Sequence, residues 1–446
     1  MGKLFGTDGV RGVANRELTP EMAFRIGRLS ACLTQKNKGE PFIVIGKDTR
    51  KSGDMLEGAL TAGICSAGVD VRSLGILSTP ALAFLTRELN ASAGIMISAS
   101  HNPIEDNGLK IFAPAGHKLN DSTEAELEEH YFGEDTHPRP QGADIGRSVD
   151  YREAVAMYTA YLQKIGPDLK GVHIAMDCGH GAVYKLAPEA FEALGARVTV
   201  LNDRPNGINI NVQCGSTDPT TLQKTVQEKG ADVGLAFDGD ADRLIAVDEK
   251  GEIVDGDLLM LLFALYLQKK NSLQKNTLVT TVMSNGGLVL AAGENGIEVV
   301  RTKVGDRYVL DAMLEGGFNL GGEQSGHIIF SDHTPTGDGL LSALKLTQIL
   351  QEEGRPLSSY RSLMTRLPQV TVNCRVSRKE GWEELPAFKQ GLQKVHEQIG
   401  PTGRILVRPS GTEPLMRVMV EGDKDQALLQ ELAGELASIL SRELSA

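Results

Sequence analysis

Short apolar runs alternate with helical stretches over most of the chain. Residues 42–46 (Phe-Ile-Val-Ile-Gly) read as a buried strand, and the polar loop Lys47-Asp48-Thr49-Arg50 follows. A helix over about 53–67 comes next, and Gly68-Val69-Asp70-Val71 opens another strand. The same succession returns at 172–177 (Val-His-Ile-Ala-Met-Asp), with a loop at 179–181, a helix, and Gly195-Ala-Arg-Val198. A shorter form runs from 277–282 through Ser284-Asn-Gly-Gly287 to Gly296-Ile-Glu-Val299. Strands that alternate with helices imply βαβ units and largely parallel sheets.

Other elements fill the pattern. Thr19 and Pro20 start a helix that runs to about Lys36, with Thr as cap and Pro in the first turn. Helices are also expected over 150–164 and 255–270, and the charged, Pro- and Gly-containing stretch 124–148 reads as a connecting segment. The periodicity changes after Leu367. Residues 370–376 alternate like an antiparallel strand, 404–408 and 415–420 supply two more, and 425–444 is an amphipathic helix. The expected fold is α/β: three related α/β domains with mixed, largely parallel sheets plus a smaller C-terminal α+β domain. The expected divisions are 1–150, 151–254, 255–366 and 367–446.

Composition narrows the class. The chain has 446 residues, which at ~150 per domain suggests about three domains, and its 41% hydrophobic content allows sizeable cores. Fifty glycines against 5% aromatics favour tight turns over aromatic packing. A net charge of -12 with no long basic run argues against a nucleic-acid or anionic-membrane partner, yet leaves room for a small anion held by a few arginines. Five cysteines (32, 65, 178, 214 and 374) form no CxxC pair, as expected of a reduced cytoplasmic chain. The N-terminus has no apolar core of a signal peptide. No run approaches the ~18 apolar residues of a membrane span. The apolar run 258–267 is shorter and reads as a core helix.

Five polar stretches could carry chemistry. Residues 94–97 end a buried strand, and Ser98-Ala-Ser-His-Asn-Pro103 follows on what should be a sharp, exposed loop at the strand's C-terminal end, where α/β sheets bind ligands. Ser100 beside His101 could be a nucleophile; an ordinary Asx/Ser-rich turn is the plainer reading. Thr7-Asp-Gly-Val-Arg-Gly12 could present Arg11 to an anion, or be a surface turn. In Asp238-Gly-Asp240-Ala-Asp242-Arg243, three carboxylates at spacing two fall in a tight loop between strand-like runs. Such a loop needs a cation to offset the repulsion, Mg²⁺ first. An EF-hand would fit the Asp positions, but Arg243 stands where the sharp turn wants Gly; a solvated acidic turn is the other alternative. The loop Gly321-Gly-Glu323-Gln324-Ser325-Gly-His327 suits hydroxyl and amine recognition, or is a turn with a hydrogen-bonded His. Arg408-Pro-Ser410-Gly411-Thr412-Glu413, with Arg417 beyond, can cradle a phosphate, or is a hairpin turn with solvated charges. No Walker A pattern exists. A Ser nucleophile, a Mg²⁺ site, a sugar loop and a phosphate cradle together describe phosphoryl transfer on a sugar phosphate in a composite cleft.

With these motifs in this order, the chain resembles the α-D-phosphohexomutase superfamily over its full length. The loop 322–327 resembles the version found in the amino-sugar branch; the phosphomannomutase/phosphoglucomutase branch more usually has Met at the position of Gln324. The resemblance implies four domains around a central cleft, and a phosphorylated Ser100 whose phosphoryl oxygen joins Asp238, Asp240 and Asp242 on Mg²⁺. It implies interconversion of glucosamine 6-phosphate and glucosamine 1-phosphate through a glucosamine 1,6-bisphosphate, toward UDP-N-acetylglucosamine and peptidoglycan. Arg11, His101, Lys110, Arg243 and Lys303 would line the reacting centre, with Lys110 and His327 as candidates for proton transfer. Glu323 and Ser325 would read the sugar. Arg408, Ser410, Gly411, Thr412 and Arg417 would hold the other phosphate, and Thr7 would line the substrate. A homodimer is what the resemblance suggests. Competing expectations are a phosphomannomutase/phosphoglucomutase, a phosphatase with a serine nucleophile, and a non-catalytic sugar-phosphate-binding protein.

Overall fold

A computed structural model describes residues 4–6, 8–34, 41–410 and 414–445. The chain divides into two compact units, 1–281 with 300–361, and 282–299 with 362–446.

Three sheets lie wholly or mostly in the first unit. In the first, six strands lie in the order Val10–Val13, Asp106–Phe112, Ala93–Ile97, Phe42–Lys47, Asp70–Ile76, Ser148–Asp150. The last four run parallel, and Asp106–Phe112 is antiparallel to both of its neighbours. The helices Pro20–Thr34 and Ser52–Cys65 cover the sheet with Ala23, Ile26, Leu56 and Leu60, all buried. Parallel strands end together. The loops after Phe42–Lys47 and Ala93–Ile97 therefore emerge side by side, carrying Asp48 to Arg50 and Ser98 to Asn102.

The second sheet is Ile253–Val254, Leu244–Asp248, Val233–Phe237, His173–Asp177, Arg197–Leu201. Val233–Phe237 and Leu244–Asp248 are antiparallel, with Phe237 opposite Leu244, so the three Asp residues sit in the connection between them. The third sheet is Glu298–Thr302, Thr277–Thr281, Leu320–Gly322, Ile328–Phe330; its last two strands are antiparallel, and residues 323–327 turn between them.

In the second unit, Gln369–Arg375, Leu415–Glu421 and Arg404–Pro409 form an antiparallel sheet packed by Pro386–Ile399 and Gln426–Leu444. Fully buried Glu421 pins the unit together. It accepts from Arg404 Nε (2.8 Å), Gly286 N (2.9 Å) and Asn285 Nδ2 (3.1 Å). The fold is thus three α/β sheets, mixed and largely parallel, with a smaller antiparallel C-terminal domain.

Two expectations need correction. Residues 124–148 are not only a connection: Asn120 caps a helix at Asp121–Phe132 through the Thr123 amide. Its single buried contact, Leu127, leaves no apolar stripe to read in the sequence. The helix expected from 150 begins at Val155, because Ser148–Asp150 adds a parallel edge strand and Arg152–Ala154 makes a 3₁₀ turn first.

Asp338 gives the fold a titratable cap. It accepts from the Leu341 amide (3.0 Å) at the start of Gly339–Glu353, and from the Tyr158 hydroxyl (2.7 Å). Burial pushes its carboxyl up to about 6. The folded state therefore keeps this proton after the unfolded chain has lost it near its ordinary value of about 4. Stability falls as pH rises from about 4 to about 6. Asp338→Asn keeps an oxygen for the cap and removes the proton. The expected result is a smaller decline of Tm across that window in the variant than in the wild type, by calorimetry; parallel profiles would refute it.

Candidate active site

The strand Ala93–Ile97 is buried and delivers Ser98, Ala99 and Ser100 to the sheet's C-terminal edge. Ser100 has φ +53°, the left-handed region. Its Oγ donates to Asp238 Oδ2 at 2.6 Å and lies 3.3 Å from His101 Nδ1. The loop is sharp, as expected, but not exposed: Ser100 is only 1% accessible. The Asp loop covers it. A Cβ at Gly239 would stand 2.5 Å from the Ser100 carbonyl oxygen, so only glycine permits this approach.

Asp238, Asp240 and Asp242 are buried, and one carboxylate oxygen from each lies within 4.8 Å of the others. Burial, then Asp242 and Asp240, push the Asp238 carboxyl well up. Burial acts the same way on Asp242, but Lys110, His327 and Arg243 more than offset it and hold that carboxyl well down. Lys110 Nζ meets Asp240 Oδ2 at 2.8 Å, Asp8 Oδ2 at 3.3 Å and Asp242 Oδ2 at 3.4 Å. Thr79 Oγ1 also donates to Asp240. Even so, Asp240 Oδ1 and Asp242 Oδ1 are buried with no hydrogen-bond partner. Three convergent carboxylates with two orphaned oxygens fit a hard divalent cation.

Positive groups ring this cluster. Arg11 pairs with Asp8 and reaches Asn102 Oδ1 at 3.4 Å; Arg243 Nε lies 3.8 Å from Asp242 Oδ1. The Nε atoms of both arginines are buried without a hydrogen-bond acceptor. Burial, then Arg243 and Arg11, push His101 down to about 4, so its ring is neutral at pH 7. His327 is buried between Asp242 (Nδ1 to Oδ2, 3.6 Å) and Asp306 (Nε2 to Oδ2, 3.6 Å), and its Nε2 accepts from Gly337 N at 3.1 Å. Burial lowers its pKa, and the two carboxylates raise it further than that. Lys118 joins Asp306 to Asp8.

On the sugar-type loop, Glu323 accepts from Gly305 N at 3.2 Å, and burial raises its carboxyl. Gln324 Nε2 and Ser325 Oγ are buried with no partner, which leaves two polar groups to serve a ligand. Lys303 is exposed in the turn after Glu298–Thr302, and among the described residues no ion pair joins it to the Asp triad.

In the second unit, Arg408 and Arg417 face each other in cross-strand register. Burial, then the neighbouring guanidinium, lower the pKa of Arg408. Such a pair favours an anion between its members. Ser410 is buried beside it, and Lys379 Nζ donates to the Ser410 carbonyl at 2.6 Å. Thr7, Gly411 and Thr412 lie outside the described residues.

Lys118, Asp306, Asn211, Lys379 and the Asp48-Thr49-Arg50 loop are not expected at the site from the sequence. Only the last had a usable signal, a polar run at the C-terminal end of a parallel strand.

Comparison with known proteins identifies the class. The phosphoglucomutase/phosphomannomutase alpha/beta/alpha domains I, II and III match residues 2–138, 150–251 and 255–367, and the family's C-terminal domain matches 372–439. The chain is 52% identical to a phosphoglucosamine mutase from Shouchella clausii over 447 residues, covering all of both chains. It is 54% identical to that of Bacillus cereus over 423 residues, covering 94% of each. Among solved structures, a phosphoglucomutase/phosphomannomutase family protein from Burkholderia thailandensis superposes with a TM-score of 0.80 at 24% identity, over 98% of this chain and 97% of that one. Aspergillus fumigatus N-acetylphosphoglucosamine mutase, solved with GlcNAc-6P and magnesium, superposes with a TM-score of 0.70 at 19% identity, over 99% and 96%. The chain belongs to the phosphoglucosamine mutases, isomerases of the phosphoglucomutase/phosphomannomutase family.

Proposed function

We propose that the chain interconverts glucosamine 6-phosphate and glucosamine 1-phosphate through a phosphorylated Ser100 and a glucosamine 1,6-bisphosphate. The observation that carries this is the 2.6 Å contact between Ser100 Oγ and Asp238 in a buried three-carboxylate cluster. In the first step the sugar O1 forms a bond to phosphorus while the bond from phosphorus to Ser100 Oγ breaks. The proton of the sugar hydroxyl ends on Ser100 Oγ. After the bisphosphate reorients, Ser100 Oγ takes the other phosphoryl group from O6, and the proton returns to the sugar. Asp238, Asp240 and Asp242 would hold a divalent cation, Mg²⁺ as the expected ion, which offsets charge on the transferring group.

The other roles follow from the chemistry of each side chain. The free Nε–H groups of Arg11 and Arg243 are donors for phosphoryl oxygens. Lys110, among three carboxylates, is an ammonium and is placed to give a proton rather than take one. His101, neutral beside Ser100 Oγ, and His327, against Asp242, complete the set through which a proton can pass. Glu323 and Ser325, with Gln324 between them, would read the sugar's hydroxyl and amine groups. Arg408, Ser410 and Arg417 would hold the phosphate that is not transferred.

The test is turnover of glucosamine, glucose and mannose 6-phosphates with Mg²⁺ and a trace of sugar bisphosphate, following 1-phosphate formation and free phosphate. A preference for glucosamine 6-phosphate of ~100-fold in kcat/KM, about 2.7 kcal/mol, is expected. Equal turnover of the other sugars would reject the amino-sugar assignment. Net phosphate release would reject the mutase.

A further inference from the structure

Ser100 is held at both ends of its backbone by residues that carry no part of the reaction described above. Its left-handed conformation, φ +53°, is one that a non-glycine residue keeps only where the surroundings impose it. Its N–H donates to Ser98 Oγ (2.9 Å), and Ser98 Oγ donates to Asp48 Oδ2 (2.7 Å). Its carbonyl accepts from Arg50 Nη2 (3.0 Å) and from Asn211 Nδ2 (2.9 Å).

The Arg50 side chain is fully buried, and all five of its N–H bonds have an acceptor. Nε donates to Asp48 Oδ2 at 2.9 Å. Nη2 donates to the carbonyls of Ser100 and of Asn102, the latter at 2.8 Å. Nη1 donates to the carbonyls of Pro103 and of Asp106, the latter at 3.1 Å. Four of the five bonds therefore end on main-chain oxygens of one loop, residues 100–106. Asp48 balances the charge and also accepts from the Arg50 amide at 2.9 Å. Asn211, from the second sheet's side, reaches the Asn102 carbonyl as well, at 3.2 Å.

We propose that Arg50, assisted by Asn211, is the positioning residue for the phosphoryl-carrying serine, fixing loop 100–106 in the conformation that aims Ser100 Oγ at Asp238. The inference rests on the role given to Ser100 above. The fork geometry is essential to it. A lysine has three donors on one atom and cannot span four carbonyls, so Arg50→Lys keeps the charge and loses the alignment. No donor of Arg50 is left for a ligand, so its removal acts on the chemical step and not on sugar-phosphate affinity.

The experiment compares wild type, Arg50→Lys and Asn211→Ala as full-length protein with Mg²⁺. The readouts are kcat and KM for glucosamine 6-phosphate, the single-turnover rate of phosphoryl transfer from phosphorylated enzyme to sugar, and folding by circular dichroism. Misplacement of a reacting group by about an ångström is worth ~10²-fold. Arg50→Lys is expected to lower kcat and the single-turnover rate together by about that factor, and Asn211→Ala by roughly tenfold, with KM within about threefold. Guanidinium ion added to Arg50→Gly should restore part of the rate, and ammonium should not. Wild-type transfer rates in folded Arg50→Lys, or a change confined to KM, would overturn the proposal. Should Arg50→Lys fail to fold, an unchanged single-turnover rate in Asn211→Ala overturns it equally. A wild-type enzyme that never isomerises the sugar phosphate would instead reject the role of Ser100 itself.

Discussion

Ser100→Ala is expected to lower kcat by ~10⁴-fold or more while leaving sugar-phosphate affinity within about threefold of wild type. The size follows from the role proposed for Ser100: the variant has no oxygen to carry the phosphoryl group, and water or buffer cannot replace a nucleophile at so buried a position. Ser100 is almost wholly buried, with its Oγ already on Asp238. Alanine tolerates the left-handed conformation about as well as serine does, and the main-chain hydrogen bonds that hold it do not involve Oγ. The variant should therefore fold, with Tm close to wild type. Two measurements check this. Steady-state kinetics report kcat, and transfer of labelled phosphate from a sugar bisphosphate reports the covalent enzyme, which should form in wild type and not in the variant. Full turnover by Ser100→Ala would remove Ser100 as the phosphoryl carrier.

The second large effect is expected at the cation site. Asp240→Asn should weaken Mg²⁺ binding by ~10- to 100-fold and lower kcat at a fixed, subsaturating Mg²⁺ concentration by ~10³-fold. Asp240 Oδ1 is buried and unpartnered, whereas Oδ2 already takes Lys110 at 2.8 Å and the Thr79 hydroxyl. The substitution removes one of three charges that a cation would offset, and it deprives Lys110 of its nearest partner. Affinity should be read without catalysis, by calorimetric titration of chelator-treated protein. A ligand that binds only the folded state at 100 times its Kd stabilises it by about 2.7 kcal/mol, so Mg²⁺ should raise the Tm of the wild type and raise that of Asp240→Asn far less. An equal Mg²⁺-dependent rise in both proteins would mean that the cation is held elsewhere.

Much of the site was legible because its motifs are local. Asp238, Asp240 and Asp242 lie within five residues, so their mutual repulsion, and the cation that relieves it, can be read from spacing alone. Ser100 is a candidate from the sequence because it follows an apolar run into a polar turn closed by Pro103, and only the other motifs lift it above an ordinary turn. The unpaired Gln324 Nε2 and Ser325 Oγ fall within the polar, Gly-flexed loop 321–327, which the sequence itself marks. The residues that no local pattern marks act across long separations. Arg50 and Asn211 converge on Ser100 from positions 50 before and 111 after it. Lys118 bridges Asp8 and Asp306, one of them 188 residues away. No periodicity or motif records such a meeting, since it depends on where separate sheets bring their edges together. The same cause hid the burial of Ser100, because the surface that covers it belongs to the second sheet.

By itself the sequence determined the fold class, through alternating strand and helix periods, and the chemical inventory: a serine, three carboxylates, a Gly-flexed polar loop and two arginines. These are properties of neighbouring residues, and local propensity and charge repulsion suffice to dictate them. Only the tertiary structure decided which oxygen Ser100 faces, how tightly its backbone is held, that Lys110 is shared among three carboxylates, and that Lys303 stands exposed. Those outcomes depend on distances of a few ångströms between segments far apart in the chain. Such distances are set by packing the sheets of the first unit against one another.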